Sequence, residues 1–330
     1  MSTAGRPLFS VLIPTRNRAS LFAVALASVF EQRFGDFEVI VINDGSSADH
    51  EPRYRELVEA APVPAQLLTL VHTERGHGQS YALNYGATRA AGEYLCFLDD
   101  DDQWTDPEHL GRAAAVIAAA SPQPDMVLAD QRAFLNGEPV ARVIWIEDLR
   151  DRLQGPPDTA GAHSVTAAAL LGCQAHCHRN TTIVSRRFYH DLGGLDEGLR
   201  YEEDRDFYLR AIDKAESIKY LPFVVSRHNI PDPAARASMS TVESELSKRL
   251  YQLRVFDKAV LFATRPELRR YAMRQRAYVL KHIATEAARA GQLECASYYA
   301  REALMAQFTL GWLATTALFA VRRRLSGAGA

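Results

Sequence analysis

The chain has 330 residues, 47% of them hydrophobic, and a net charge of −2 at pH 7. This length allows one large hydrophobic core, or one core with a smaller second domain, and the near-neutral charge argues against a general nucleic-acid-binding protein. The four cysteines do not form the pattern of a disulfide framework, and residues 1–7 are short and polar. We therefore expect reduced thiols, no signal peptide and a cytoplasmic location.

The first hundred residues alternate between apolar runs of strand length and segments with helical periodicity. This alternation predicts a mostly parallel, doubly wound α/β sheet flanked by helices. Right-handed crossovers would place the loops after the strands along one edge of that sheet. The predicted elements, in chain order, are a strand at Phe9–Ile13 that Pro14 stops, a helix at Leu21–Gln32, a strand at Phe37–Ile42, a helix at 51–60, a strand at Gln66–His72, a helix at Ser80–Ala91 and a strand at Tyr94–Leu98.

The second half of the chain is less regular, since prolines and glycines interrupt residues 121–165. Long loops beside a site are usually functional. After Pro231 and Pro233 the pattern becomes helical, which predicts a main domain at 1–235 and a helical subdomain at 236–330. The predicted elements here are short strands at 126–134 and 140–146, a mobile loop near 150–165, a strand at Thr181–Ser185, a helix at 203–214 and a last strand at Tyr220–Ser226.

Four consecutive aspartates, Asp99 to Asp102, follow the apolar run Tyr94–Leu98. Adjacent carboxylates repel each other, so a strand that ends in four of them needs positive charge at that point. Mg²⁺ characteristically bridges a few carboxylates to substrate phosphates, and ligands of open α/β sheets bind at the carboxyl ends of the strands. The run therefore indicates a metal–diphosphate site, although a solvated acidic turn that caps the next helix also fits.

Other motifs accompany the acidic run in a fixed order, and the ordered set resembles family 2 glycosyltransferases of the GT-A fold over residues 8–230. The resemblance implies an α/β fold with a GT-A type, doubly wound mixed sheet flanked by helices, followed here by a C-terminal helical extension. The segments that carry the resemblance are Ser10–Arg18, Val39–Ser46, Asn84–Gly86, Gly92–Trp104, Gly193–Glu197 and Glu203–Arg210.

The resemblance implies an inverting transfer of a sugar from a nucleotide-diphosphate donor, with a UDP-sugar favoured, to a hydroxyl of a glycan, glycolipid or other acceptor. Negative charge builds on the leaving diphosphate, so Mn²⁺ or Mg²⁺ is implied as cofactor. In the family pattern Asp101 would contact the metal directly, and Asp99 would hold the ribose or the metal's water shell. We place Asp100, at the variable position, and Asp102, which would orient the loop, in the donor and acceptor pocket.

A nucleotide pocket at the ends of the first three strands also follows from the resemblance. Asp44 would bind the base, and its carboxylate suits uracil because it can accept the ring N3–H. Pro14, Thr15 and Arg16 would flank the same base, and Arg75 would reach the base or the diphosphate. The sequence around Asp44 is also that of an ordinary turn.

Glu203 and Asp204 match the Glu-Asp motif of the family. A single displacement requires a carboxylate base for the acceptor hydroxyl, and the match gives that role to Asp204, with Glu203 as its neighbour. The alternative is an acidic helix start, where the helix dipole favours carboxylates. Both descriptions can hold together, since a helix N-terminus also fixes the base in place.

Four further residues are candidates on the same resemblance. His228, which we expect beyond the last strand, is a candidate metal ligand or a plain loop histidine. Trp104 would line the sugar pocket or belong to the core, and His178 and Asn180 would line the donor or acceptor pocket. Because Cys173 and Cys177 lie beside two histidines, zinc is an alternative, but one short segment rarely builds a tetrahedral site.

The C-terminal region contains a basic segment followed by an uncharged, largely apolar segment. Residues 248–282 contain ten Lys and Arg against two acidic residues, and Met305–Val321 is uncharged over seventeen residues before three arginines. This stretch is short for a membrane span. Peripheral contact with the inner face of the plasma membrane, contact with the acceptor, and a plain helical hairpin all remain open.

A catalytically inactive nucleotide-sugar-binding or scaffold protein of the same fold is the alternative function. The intact acidic run and the intact Glu203–Asp204 pair argue against it. A nucleotidyltransferase usually has a glycine-rich loop after its first strand, whereas residues 14–18 contain no glycine. The sequence names neither the sugar nor the acceptor.

Overall fold

The computed structural model of the chain describes residues 5–231 and 239–327. The chain divides into two compact units, residues 1–232 and residues 233–330. The domain boundary predicted between residues 235 and 236 lies outside the described residues.

Within residues 5–231, ten strands form a single sheet. In chain order they are β1 (Phe9–Thr15), β2 (Phe37–Asn43), β3 (Ala65–Thr69), β4 (Tyr94–Phe97), β5 (Gln103–Trp104), β6 (Met126–Leu135), β7 (Glu138–Pro139), β8 (His163–Ser164), β9 (Thr182–Ser185) and β10 (Ile218–Ile230). The helices of this unit are α1 (Ala19–Phe30), α2 (Glu51–Glu59), α3 (Gln79–Arg89), α4 (His109–Ala119), α5 (Ala167–Leu171), α6 (Arg186–Asp191) and α7 (Glu203–Lys214), with 3₁₀ turns at Glu147–Arg152 and Arg179–Thr181.

The strands lie in the order β3-β2-β1-β4-β9-β6-β10-β5, with β7 beside β6 and β8 beside β10. Strands β1 to β4 are mutually parallel, whereas β9 runs antiparallel to both β4 and β6. The sheet is therefore mixed, which confirms the predicted fold class. The carboxyl ends of β1, β2 and β4 meet at one edge, and the acidic run begins there.

The hydrophobic core lies on both faces of the parallel half of the sheet. All seven residues of β1 are buried, and α3 packs against β1 and β2. A Cβ atom at Gly86 on α3 would come within 2.7 Å of the Ile42 side chain, so the glycine lets this helix approach the sheet closely. Burial on both faces explains why these strands read as continuous apolar runs.

Three local predictions were wrong. The first strand continues through Pro14 to Thr15. Strand β1 pairs with β4 only as far as Leu12, so Pro14, which has no N–H, interrupts no hydrogen bond to β4. Residues 140–146 form no strand; this described segment is irregular and leads into the 3₁₀ turn at Glu147–Arg152. Strand β10 extends to Ile230, since β6 pairs with it up to that residue, so His228 lies inside the last strand.

The described part of the second unit, residues 239–327, is helical. Its elements are α8 (Met239–Val242), α9 (Glu245–Phe262), α10 (Pro266–Arg289), α11 (Leu293–Ala306) and α12 (Leu310–Gly327). Alanines such as Ala287 and Ala300 form a small core with Phe319 and let α10, α11 and α12 pack closely. The uncharged stretch at 305–321 is divided between α11 and α12, and none of the described helices meets the length and apolarity that a membrane span requires.

Stability should depend on pH through His109, which lies edge-on to Trp104 in the core at 5.0 Å between ring centroids. Neither of its ring nitrogens has a hydrogen-bond partner among the described residues, and burial lowers the pKa of His109 from 6.5 to about 4. Between pH 6.5 and 4, His109 is therefore protonated in the unfolded chain but neutral in the folded chain. Stability should be full above pH 6.5 and should fall by up to about 3 kcal/mol as the pH drops towards 4.

Denaturant unfolding of His109→Leu against pH checks this expectation. The variant should lose less stability than the wild type between pH 6.5 and 4, whereas His190→Gln, at an exposed histidine, should follow the wild type. The same acid sensitivity in His109→Leu and in the wild type would contradict the assignment.

Candidate active site

The four aspartates of the acidic run lie at the carboxyl edge of the sheet, and their carboxylates have different partners. Asp99, Asp100 and Asp102 are buried, and Asp101 is half-buried. Each carboxylate meets cations or donors from other parts of the chain. The run is thus a set of separately stabilised groups, not a solvated acidic turn.

Asp99 forms an ion pair with Arg179, whose Nε lies 2.9 Å from Oδ1 and whose Nη2 lies 3.2 Å from Oδ2. Gln79 donates a further hydrogen bond to Asp99 at 2.6 Å. Burial alone would raise the pKa of Asp99, but Arg179 holds that pKa below its ordinary value. Asp99 is therefore ionised at neutral pH.

Arg179 also contacts Glu203, with Nη1 2.8 Å from Oε1. Its side chain is only 13% exposed, so one largely buried cation joins the acidic run to the Glu203–Asp204 pair. Sequence reasoning missed Arg179. The available signal was a basic residue between two pocket candidates, His178 and Asn180, just before a buried strand.

Asp100 and Asp101 share Arg18, whose Nη1 lies 3.2 Å from the first carboxylate and 2.9 Å from the second. Thr15 donates to Asp100 at 2.8 Å. Burial raises the pKa of Asp100 to about 6, and burial together with the adjacent carboxylates raises the pKa of Asp101 to about 7. Arg18, two positions after the predicted Arg16, was also missed.

Asp102 anchors the run to β10 and to the 3₁₀ turn at Arg179–Thr181. It accepts hydrogen bonds from the backbone N–H of Asn229 at 2.7 Å and from the Asn180 side-chain amide. Asn180 in turn accepts the backbone N–H of Asp99 at 3.0 Å. Asn180 therefore fixes both ends of the acidic run.

His228 donates from Nδ1 to Asp102 at 2.7 Å, so Nε2 has the lone pair when the ring is neutral. Burial would lower the pKa of His228, but Asp102 holds it above its ordinary value. A carboxylate that orients a histidine in this way is typical of metal-binding imidazoles. His178 differs, because its Nδ1 accepts the backbone N–H of Asn180 at 3.3 Å and its Nε2 then carries the proton. Burial lowers the pKa of His178 to about 3, so this ring is neutral.

The described residues contain two groupings of potential metal ligands, Asp99–Asp101–Asp102 and Asp102–His178–His228, each with its ligand atoms within 4.8 Å of one another. Carboxylate oxygens with an imidazole suit Mn²⁺, and the carboxylates alone suit Mg²⁺. Neither grouping includes a cysteine. Burial raises the pKa of Cys173 to about 12 and that of Cys177 to about 11, so both are thiols at neutral pH when no metal is bound.

Asp204 lies in the first turn of α7 and accepts a hydrogen bond from His176, with Nε2 3.0 Å from Oδ2. Arg205 donates to His176 Nδ1 at 3.3 Å, which places the imidazole proton on Nε2. Burial alone would raise the pKa of Asp204, but His176 and Arg179 hold it well below the ordinary value. Burial raises the pKa of Glu203 although Arg179 opposes the shift. Asp204 is thus ionised at neutral pH, and its pKa is shifted in the opposite direction to that of Glu203.

Backbone strain occurs beside both halves of the site. Glu202, the residue before α7, has φ 67°, and Asn17, between the two arginines after β1, has φ 55°. Left-handed backbone at a residue other than glycine is costly and concentrates at functional sites. At these positions it sets the directions in which α7 and the loop after β1 leave the sheet edge.

Asp44 lies at the end of β2 and holds the loop that follows β3. Its carboxylate accepts the backbone N–H groups of His77 and Gly78, at 2.9 and 3.0 Å, and the His77 ring at 2.8 Å. A Cβ atom at Gly76, where φ is +66°, would come within 2.6 Å of the same carboxylate. The loop therefore closes tightly over Asp44.

The other predicted nucleotide residues lie around this loop. Arg16 donates from Nη2 to the carbonyls of Thr73 and Glu74, at 2.7 and 3.0 Å. Arg75 is exposed, and Pro14 is buried within β1. The structure places Trp104 in the core, with its indole N–H on the carbonyl of Asn180 at 3.0 Å.

Comparison with known proteins gives matches over most of the chain. Residues 10–148 match the family described as Glycosyl transferase family 2. The chain is 35% identical over 248 residues to the PGL/p-HBAD biosynthesis glycosyltransferase of Mycobacterium tuberculosis, covering 74% of this chain and 84% of that protein. It is 29% identical over 203 residues to the amylovoran biosynthesis glycosyltransferase AmsB of Erwinia amylovora. That alignment covers 62% of this chain and 63% of the relative, so the chain spans less than two thirds of AmsB.

Two solved structures share the fold at low sequence identity. S. aureus TarS in complex with UDP-GlcNAc has a TM-score of 0.66 and 20% identity, covering 90% of this chain and 81% of that chain. The chain covers 43% of a longer TarS structure. The mannosyltransferase PcManGT from Pyrobaculum calidifontis, in complex with GDP-Man and Mn²⁺, has a TM-score of 0.59 and 20% identity, covering 96% and 85% of the two chains.

Arg179→Met should lower the free energy of unfolding by roughly 3–5 kcal/mol, because it leaves the carboxylates of Asp99 and Glu203 buried without their cation. Chemical denaturation measures the change. Arg33→Met is a matched control, since Arg33 is 72% exposed in its pair with Glu108 and such surface pairs contribute at most about 1 kcal/mol.

The triple variant Asp99→Asn, Arg179→Met, Glu203→Gln should recover most of the lost stability, because no buried charge then remains unpaired. A triple variant as unstable as Arg179→Met, or equal effects at Arg33 and Arg179, would show that the arginine does not serve as the shared cation.

Proposed function

Since the chain belongs to glycosyltransferase family 2, we propose that it transfers a sugar, with inversion, from a nucleotide-diphosphate donor to an acceptor hydroxyl. A UDP-sugar is the favoured donor, and the acceptor is a glycan, a glycolipid or another hydroxyl compound. One observation carries the proposal: Arg179 contacts both Asp99 in the acidic run and Glu203 beside the ionised Asp204. A site for the diphosphate and a base for the acceptor are thereby held together.

On the donor side, Asp101, Asp99 and His228 are the residues that would hold Mn²⁺ or Mg²⁺. The bound cation would offset the negative charge that develops on the leaving diphosphate. The free Nε2 of His228 and the nearby carboxylates support this role. The complex of PcManGT with GDP-Man and Mn²⁺ offers a precedent within the same fold.

The base of the nucleotide would lie at the loop that Asp44 closes. A carboxylate has lone pairs beyond those that the His77 and Gly78 N–H groups use, so Asp44 can still accept the N3–H of uracil. Thr15, Arg16 and Arg75 surround the same region. The TarS complex with UDP-GlcNAc supports a uridine donor.

On the acceptor side, the carboxylate of Asp204 takes the proton of the hydroxyl while the hydroxyl oxygen bonds to the anomeric carbon. The bond from that carbon to the diphosphate oxygen breaks on the opposite face, and its electron pair leaves with the nucleoside diphosphate. Inversion follows, since this displacement has one step. The lowered pKa of Asp204 keeps it ionised at neutral pH, and the hydrogen bond from His176 fixes its orientation.

An inactive nucleotide-sugar-binding protein of the same fold would not need an ionised Asp204 with a histidine of its own. Active transfer is therefore the better supported function. Release of free nucleoside diphosphate from nucleotide sugars distinguishes the two, because only the transferase liberates it.

Binding of UDP should require Mn²⁺ or Mg²⁺ and should depend on Asp101. In the presence of Mn²⁺, Asp101→Asn should weaken UDP binding by about tenfold or more, the scale on which altered metal-site geometry lowers metal affinity. Calorimetric titration with UDP measures the effect, and Asp191→Asn, at an exposed aspartate on α6, is the control. Equal UDP affinity with and without EDTA would refute the metal role.

Asp204→Asn separates binding from chemistry. The amide retains the size of the side chain but cannot accept the proton, so turnover should fall by roughly 10²-fold or more. UDP affinity should change little, because the donor residues are intact. The wild-type product, examined by NMR of the anomeric proton, should have inverted configuration; a retained configuration, or near-normal turnover by Asp204→Asn, would exclude this mechanism.

A further inference from the structure

The last helix of the second unit carries apolar side chains on two opposite sides. Its inner side packs on α11, where the Trp312 indole donates to the carbonyl of Ala300 at 2.9 Å and Phe319 is buried. Its outer side is exposed, and side chains three or four positions apart share that side of a helix. This outer stripe consists of Leu310, Leu313, Ala314, Ala317, Leu318, Val321 and Leu325.

The end of α11 and the turn before α12 add large exposed apolar groups. Met305 on α11 is 82% exposed and Phe308 in the turn is 64% exposed, next to Leu310 of the stripe at 76%. From Leu310 to Leu325 the outer stripe extends roughly 22 Å at the usual helical rise. Contiguous apolar surface of this kind marks an interaction site.

The charges of the segment that contains α12 indicate what kind of surface binds the outer stripe. Residues 303–327 contain no acidic residue, and their only charged residues are Arg322, Arg323 and Arg324. Arg322 and Arg324 are exposed. A helix with an apolar face and cationic side chains lies in the plane of a membrane, with its apolar face among the acyl chains and its cations at the anionic phosphates.

We infer that the outer stripe of α12 and the turn before it dock the chain on an anionic membrane surface. The helix lies flat and does not cross the bilayer, because Trp312 and Thr316 hold its inner side on Ala300. A second copy of the chain is a poorer occupant. The stripe offers no acidic side chain for the arginines, so two copies of this helix would bring only positive charges together.

The sequence left three roles open for residues 248–282 and 305–321, namely membrane contact, acceptor contact and a plain helical hairpin. The structure narrows the contact to α12 and the turn before it, which carry exposed leucines and, near the end of the helix, three consecutive arginines in a stretch of sequence without acidic residues. This inference is independent of the sugar-transfer proposal, because its measurement is lipid binding alone.

The experiment is co-sedimentation of the full chain with vesicles of phosphatidylcholine alone, and with vesicles in which a quarter of the lipid is phosphatidylglycerol. The wild type should bind the anionic vesicles, and added salt should weaken that binding. The double variant Leu318→Gln, Val321→Gln should weaken it by about tenfold or more, since buried aliphatic groups supply the apolar part. Each of Arg322→Gln and Arg324→Gln should weaken it by about fivefold.

Leu261→Gln is the matched control, since Leu261 on α9 is 86% exposed and lies outside the stripe; this variant should bind vesicles as the wild type does. Circular dichroism verifies that each variant retains its helices, and the arginine variants test the inference even if the double variant does not fold.

Three outcomes would overturn the inference. In the first, the wild type does not co-sediment with anionic vesicles. In the second, the stripe and arginine variants bind these vesicles as well as the wild type does. Alternatively, analytical ultracentrifugation could show a wild-type dimer that Leu318→Gln, Val321→Gln converts to a monomer, without lipid binding, which would assign the stripe to a second copy of the chain.

Discussion

The carboxylates of Asp99 to Asp102 are buried or half-buried side by side, and each must meet a cation or hydrogen-bond donors. A buried charge that lacks a partner costs several kcal/mol, so this requirement dictates which parts of the chain converge. Arg18 comes from the loop after β1, Arg179 from the 3₁₀ turn before β9, and His228 from β10. The sheet edge is therefore organised by electrostatics as much as by strand pairing.

Arg179 has a special place in this arrangement, because it contacts carboxylates that lie far apart in the sequence. It pairs with Asp99 and with Glu203, and it helps to keep the neighbouring Asp204 ionised. The same ion pairs thus stabilise the fold and set the protonation of the proposed base. A buried pair of this kind contributes less to stability than its geometry suggests, but it fixes the position of the acidic run relative to the Glu203–Asp204 pair.

The second unit is organised by a different kind of packing. Alanines at the contacts of α10, α11 and α12 allow close approach of these helices with little apolar volume between them. Larger apolar side chains of the last helix are then left on its outer side. Because α12 is apolar on two opposite sides, both sides would be exposed to water if the helix were isolated. Helix α11 packs against one of these sides.

The order of strands and helices in the first unit and the acidic run after β4 could be predicted from the sequence. They depend on local periodicity and on the order of elements along the chain. The Glu203–Asp204 pair at the start of a helix belongs to the same class of local feature. The family resemblance supplied the functional meaning of these positions.

The partners of these residues required the tertiary structure. Arg179 lies 80 residues from Asp99, and His176 lies 28 residues from Asp204, so no local pattern links them. The burial of Trp104 likewise depends on a distant contact, since its indole N–H donates to the carbonyl of Asn180. The sequence alone determined where charges and strands lie along the chain, whereas strand register and loop closure decided which charges meet, because pairing between distant residues is settled only when the whole sheet packs.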